Sequence, residues 1–213
     1  MAVEDMKDIQ SELITSRLES ARSLVMSGVE TIPGEHAILL YARSAGVLIP
    51  FTMDREILEK SIANITPVTD NGGSDVSSVF ALVGSLYSVH TTPLHIILLT
   101  DGGDTGGSSL PPLPPNTTLS IIAIGTDTGG PIFLGYDALG HRRYKIYQGK
   151  EISVPYEAKN IDRIASLYHA RVMRLEKKPD SHIILENIAP KNRSLPIDQI
   201  YILIMLGCVS ILI

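Results

Sequence analysis

One stretch constrains this chain more than any other: Leu94-His-Ile-Ile-Leu-Leu-Thr100, running straight into Asp101-Gly102-Gly103-Asp104-Thr105. An apolar run of strand length without alternation marks a strand buried on both faces, which requires a largely parallel sheet covered by helices. Open sheets of that kind bind their ligands at the carboxyl ends of the strands, where Asp101 falls. A carboxylate beside glycines, whose backbone N–H groups are accessible, suits a hard divalent cation with oxygen ligands. The same residues also make an ordinary turn out of a buried strand. Both readings stand on the local residues.

The segments on either side fit the same sheet. Ile14, Leu18, Ala21 and Val25 recur at helical spacing with Arg17, Glu19 and Arg22 on other faces, and Gly28 and Pro33-Gly34 end that helix. His36–Ala42 reads as a buried strand, and Val47–Phe51 follows closely enough for an antiparallel hairpin. Helices are predicted from Asp54 and after Ser74-Asp75, where Val76, Val79, Phe80, Val83, Leu86 and Tyr87 keep the helical period. Leu119–Ile124 is a further buried strand, 126–156 alternates turns with short β-prone pieces, and Asn160 is placed to cap a last helix before an edge strand at 170–175. The order lacks an initial strand for the sheet centre. It predicts a gap there, two unpaired buried edges and poor folding alone.

A chain of 213 residues, 44% hydrophobic, can bury one sizeable core. Its net charge of −5 argues against a nucleic-acid footprint, which would need a basic face. From Ile200 to Ile213 only Gly207 and Ser210 are not apolar. With no polar face, this tail is read as the start of a transmembrane helix; as a helix it spans about 21 Å against a hydrocarbon core of ~30 Å. The histidines show no zinc-enzyme spacing, and no Gly-x-Ser-x-Gly elbow, P-loop or nucleophile–base pair occurs, so no chemistry is assigned.

Three features together resemble the von Willebrand factor A domain: Gly72-Gly73-Ser74-Asp75 before a helix, Leu98-Leu99-Thr100-Asp101-Gly102 after a strand, and Ile122-Ala-Ile-Gly125-Thr126 closing the next strand. Within that family the chain is similar to bacterial membrane-anchored aerotolerance (Bat-type) proteins. The likeness rests on Arg17-Leu18-Glu19-Ser20-Ala21-Arg22 with Pro33-Gly34, and on Gly125-Thr126-Asp127-Thr128-Gly129-Gly130-Pro131-Ile132. The resemblance implies an α/β, Rossmann-like domain over residues 1–175, its first central strand missing, with a mostly parallel sheet, one antiparallel hairpin and flanking helices. A juxtamembrane linker at 176–198 and a partial transmembrane helix at 199–213 would follow.

The resemblance also implies a Mg²⁺-dependent adhesion site. Ser74 falls on its second-loop hydroxyl position and Asp101 on its third-loop carboxylate. The Asp-x-Ser-x-Ser motif of the first loop has no counterpart. Met1-Ala-Val-Glu-Asp-Met resembles the residues immediately after that motif, so the chain reads as truncated and its Mg²⁺ binding as weak or absent. The expected protein is a non-enzymatic, membrane-anchored interaction domain. In a full-length form it would bind a partner protein's acidic residue through the metal. A bacterial cytoplasmic membrane is the expected location, with the domain on the periplasmic side. The alternatives are a non-metal scaffold of a membrane complex and a small-ligand-binding or enzymatic Rossmann-like domain.

Overall fold

The computed structural model describes residues 2–8, 14–66, 73–87, 92–104, 106–107, 109–178 and 201–207. Two short strands open the chain, β1 (Glu4–Asp8) and β2 (Ile14–Ser16), paired antiparallel. Helix α1 (Arg17–Thr31) follows, and a reciprocal cap fixes its start: Ser16 Oγ accepts the Glu19 N–H while the Glu19 carboxylate accepts the Ser16 N–H. Such a box is worth about 1 kcal/mol. It outweighs the apolar periodicity that predicts a start at Ile14, which lies instead on β2 with its side chain exposed.

The hairpin β3 (Glu35–Tyr41) and β4 (Ala45–Thr52) comes next, then α2 (Arg55–Ala63), whose Asp54 cap accepts the Ile57 N–H. Helix α3 (Val76–Tyr87) precedes the two strands β5 (Leu94–Thr100) and β6 (Thr117–Ile124). An arm of short strands interrupts the pattern: β7 (Gly130–Pro131), β8 (Phe133–Tyr136), β9 (Arg142–Tyr144), β10 (Ile146–Tyr147), β11 (Lys150–Glu151) and β12 (Ser153–Val154). The chain then forms α4 (Ala158–Tyr168), β13 (Arg171–Leu175), β14 (Lys177–Lys178) and β15 (Tyr201–Gly207).

Six of these strands make the main sheet in the order β13-β6-β5-β15-β3-β4, all parallel except the edge strand β4. This corrects two expectations. The sheet centre is not empty, because β15 lies there with Tyr201 opposite both Glu35 and Leu94. The buried edges of β3 and β5 are therefore paired. Residues 201–207 of the tail are strand rather than transmembrane helix, and among the described residues no helix is long and apolar enough to cross a membrane. The physical reason is that an all-apolar segment without a polar face suits a strand covered on both sides as well as a bilayer helix. The remainder of the tail and most of the 176–198 linker lie outside the described residues.

Alternation within strands divides the core into two layers. Ile97 and Leu99 of β5, with Ile122 and Ile124 of β6, pack under α1 and α2 against Leu24, Val25 and Ile62. Ile96 and Leu98, with Ile121 and Ala123, face α3 and α4 through Val79, Phe80, Val83, Ile161 and Ile164. Asn160, expected to cap α4, sits inside the helix instead: the cap position is Glu157, and Asn160 Nδ2 donates to Gly102 O at 3.0 Å.

His36 is buried in β3, and desolvation, with the nearby Arg55 charge, lowers its pKa to about 4. A histidine depressed in the folded state favours folding fully above its unfolded pKa near 6.5, and that stability is lost as pH falls toward 4. The drop is roughly 3 kcal/mol. Urea midpoints measured from pH 7 to pH 4 are expected to fall steeply in the wild-type chain, with this component of the slope absent in His36→Gln.

Candidate functional site

The carboxyl ends of β5 and β6 meet around one buried cation, the guanidinium of Arg17. Arg17 is the first residue of α1 and its side chain is fully buried. Nε donates to Asp5 Oδ1 at 2.9 Å, and Nη2 donates to Asp5 Oδ2 and to Val154 O. Nη1 donates to Asp101 Oδ2 at 3.2 Å. Burial opposes the charge, but the hydrogen bonds and charges of Asp5 and Asp101 outweigh it and raise the guanidinium above its ordinary range. Asp5 is satisfied from a second direction: Thr126 donates to Oδ2 through its N–H at 3.0 Å and its Oγ1 at 3.1 Å.

Two glycines make room for this arrangement. A Cβ on Gly125, at φ +134°, would lie 2.7 Å from Arg17 Nε. One on Gly102, at φ +82°, would lie 2.4 Å from Glu157 O. The loop after β5 is held on both sides as a result. Asp101 O accepts the Glu157 N–H at 2.8 Å, Thr100 Oγ1 accepts the Gly102 N–H at 3.0 Å, and Asp101 Oδ1 accepts the Gly103 N–H at 3.3 Å.

The structure brings Ser74 and Asp101 to the same edge of the sheet. The Asp75 N–H donates to Ala42 O just beyond β3, and Gly106 passes so close to Asp75 that a Cβ there would lie 2.6 Å from Asp75 Oδ1. Ser74 is buried. The carboxylate that accepts an N–H at the start of α3 is Asp75's, from Ser77 at 2.9 Å. Asp104, in the loop after β5, has a buried carboxylate paired with Arg163 at 2.9 Å.

A hard divalent cation takes about six oxygens. Here Asp101 Oδ2 already receives a guanidinium N–H, and among the described residues no three His, Cys, Asp or Glu side chains gather around a common point. Arg17 places a positive charge at this edge.

Sequence reasoning missed Asp5 and Arg17 as a pair. It set Arg17 on a polar face, yet Arg17 shares the buried side of α1 with Ser20, Ala21 and Leu24. The signal available was Arg17 standing three and four residues before Ser20 and Ala21 on a face otherwise small or apolar.

This fold, with helices on both faces of a mostly parallel sheet and loops converging on Asp101 at its carboxyl edge, is that of von Willebrand factor type A domains. The chain is similar to BatB from Bacteroides thetaiotaomicron, at TM-score 0.66 and 18% identity over 88% of this chain and 92% of that one. It is equally similar to an aerotolerance-related membrane protein from Bacteroides fragilis, at TM-score 0.67 and 18% identity, with the same coverage. A von Willebrand factor type A protein from Catenulispora acidiphila matches at TM-score 0.52 and 16% identity, over 80% of this chain and 36% of that one. No family model and no curated protein matches the sequence.

Removing one side of a buried ion pair strands the other charge and costs about 3–5 kcal/mol. Arg17→Met is expected to lose stability on that scale in urea unfolding. Arg17→Lys should recover only part of it, since an ammonium cannot reach Asp5, Asp101 and Val154 O with a planar fork.

Proposed function

We propose that this chain is an interaction domain of the von Willebrand A type, associated with a bacterial membrane, which grips a protein partner on the carboxyl edge of its sheet and catalyses no reaction. One observation carries the reading. The loops at that edge are stitched together by Arg17, Asp5, Asp101, Thr126 and Asn160, so the rim they form is rigid and pre-organised for docking. The membrane association is supported by the fold shared with the aerotolerance-related membrane protein of Bacteroides fragilis. We place the domain on the periplasmic side of that membrane.

Metal enters this reading in a limited way. With an Asp-x-Ser-x-Ser loop, Ser74 and Asp101 would complete an oxygen shell through which Mg²⁺ meets a partner's carboxylate. In this chain these two side chains are too few, so docking relies on the rim itself. Calorimetric titration with Mg²⁺ or Mn²⁺ is expected to show no micromolar binding; a micromolar dissociation constant would overturn the metal-independent form.

The docking face has its own test. A photo-crosslinking residue at position 159, on the rim, is expected to capture a protein partner in bacterial membranes, whereas one at position 115, at the opposite edge of the sheet, is not. Equal capture at both positions, or none at 159, sinks the assignment of the face.

A further inference from the structure

The arm from Gly130 to Val154 reaches the Arg17 site only through Val154 O and buries Ile132 against Ala2 and Val3, and it is firmly held. Glu4, itself buried, accepts hydrogen bonds from Arg142 Nη1 at 2.9 Å and Tyr144 Oη at 2.8 Å. Phe133 N–H donates to Ala2 O at 3.1 Å, and Val3 bridges Ile132 beneath it. At the tip between β8 and β9, the Asp137 carboxylate accepts the Leu139 and His141 N–H groups at 2.8 and 2.9 Å. Those two hydrogen bonds, His141 first, hold its pKa below the ordinary carboxylate range. The next turn, Gln148-Gly149, joins β10 to β11 with φ of 49° and 77°, the left-handed pair that a tight hairpin needs.

These ordered turns present apolar side chains to solvent. Leu139 is 81% exposed, Ile146 65% and Tyr136 62%, with Leu134 and Tyr147 also exposed. A single exposed leucine carries no message, but five large apolar groups within fourteen residues, on anchored hairpins, concentrate exposed apolar area on this arm. The arm's charge says what. It carries Arg142, Arg143, Lys145 and Lys150 against Asp137 and Glu151, on a chain whose net charge is −5. Tyr147 stands directly across from Lys150, so a ring and a cation sit side by side at the second turn.

From this we infer that the arm is a lipid-docking element: its Leu, Ile and Tyr side chains enter the boundary of an anionic bilayer while Arg143 and Lys150 meet the headgroups. Tyrosines and leucines beside basic residues are the chemistry of the headgroup–acyl boundary, and on a chain of net negative charge a basic arm is a face that anionic lipid attracts. With Tyr201–Gly207 used as a strand, those residues are not available to a bilayer, and the arm is a separate surface that can reach one. The inference rests on the membrane association proposed above and names the face that makes the contact.

Vesicle flotation of the full chain tests it, with phosphatidylglycerol/phosphatidylcholine vesicles compared with phosphatidylcholine alone. Binding is expected to the anionic vesicles only, and to weaken on raising salt from about 0.1 to about 0.5 M. It should fall roughly tenfold or more in Arg143→Glu/Lys150→Glu, and fall also in Leu139→Ser/Ile146→Ser. Unchanged melting temperatures would show that these surface variants fold. Equal binding to both vesicle types, insensitive to the variants, overturns the arm's role and leaves membrane association standing through another segment. No binding to either vesicle overturns both. Capture of an acidic polypeptide in place of vesicles assigns the arm to a protein and also overturns the lipid reading.

Discussion

A single guanidinium holds the carboxyl edge of the sheet together. Arg17 comes from the first turn of α1, Asp5 from the opening strand, Asp101 from the loop after β5, and Val154 O from the end of the arm. Four segments far apart in sequence therefore share one charge. Moving a cation out of water is expensive, and the arrangement is tenable only because each side of the fork finds an oxygen. The geometry forces other choices. Gly125 must lack a side chain for the guanidinium to pass, and Thr126 takes the lone pairs of Asp5 that Arg17 leaves over.

The sheet obeys a different constraint. A parallel sheet covered on both faces tolerates no gap at its centre, since unpaired backbone groups buried there have no water to bond. β15 fills that place, donating and accepting along both β3 and β5. The sequence there suits the position because it is apolar without alternation, the property that also makes the segment resemble a membrane span.

Much of this architecture was legible in the residues, and the parts that were not have identifiable causes. The Leu94–Thr100 and Leu119–Ile124 runs announced central strands, since only strands covered on both faces are apolar without alternation. The helical period located α2 and α3. Polar capping chemistry moved the start of α1, because the Ser16–Glu19 box is local and strong whereas the periodicity through Ile14 is only an average. Asp101 was marked by its place at a strand end. Its partners were not, because Asp5 and Arg17 lie 96 and 84 positions away and nothing in a linear reading pairs them; the same limit concealed Asn160, which left its capping position to bind Gly102 O. The tail misled for a thermodynamic reason, as burial in protein and burial in lipid ask for the same side chains.

The position of β15 carries a consequence for the order in which the molecule forms. Tyr201 pairs with Glu35 and with Leu94, so the two halves of the sheet acquire their shared strand only once residues 201–207 have been made. Contacts of such long sequence separation slow folding, and during synthesis they leave two apolar strand edges open to any extended peptide that meets them. For a ribosome making this protein, the hazardous interval is set by the time between translating residue 100 and residue 207.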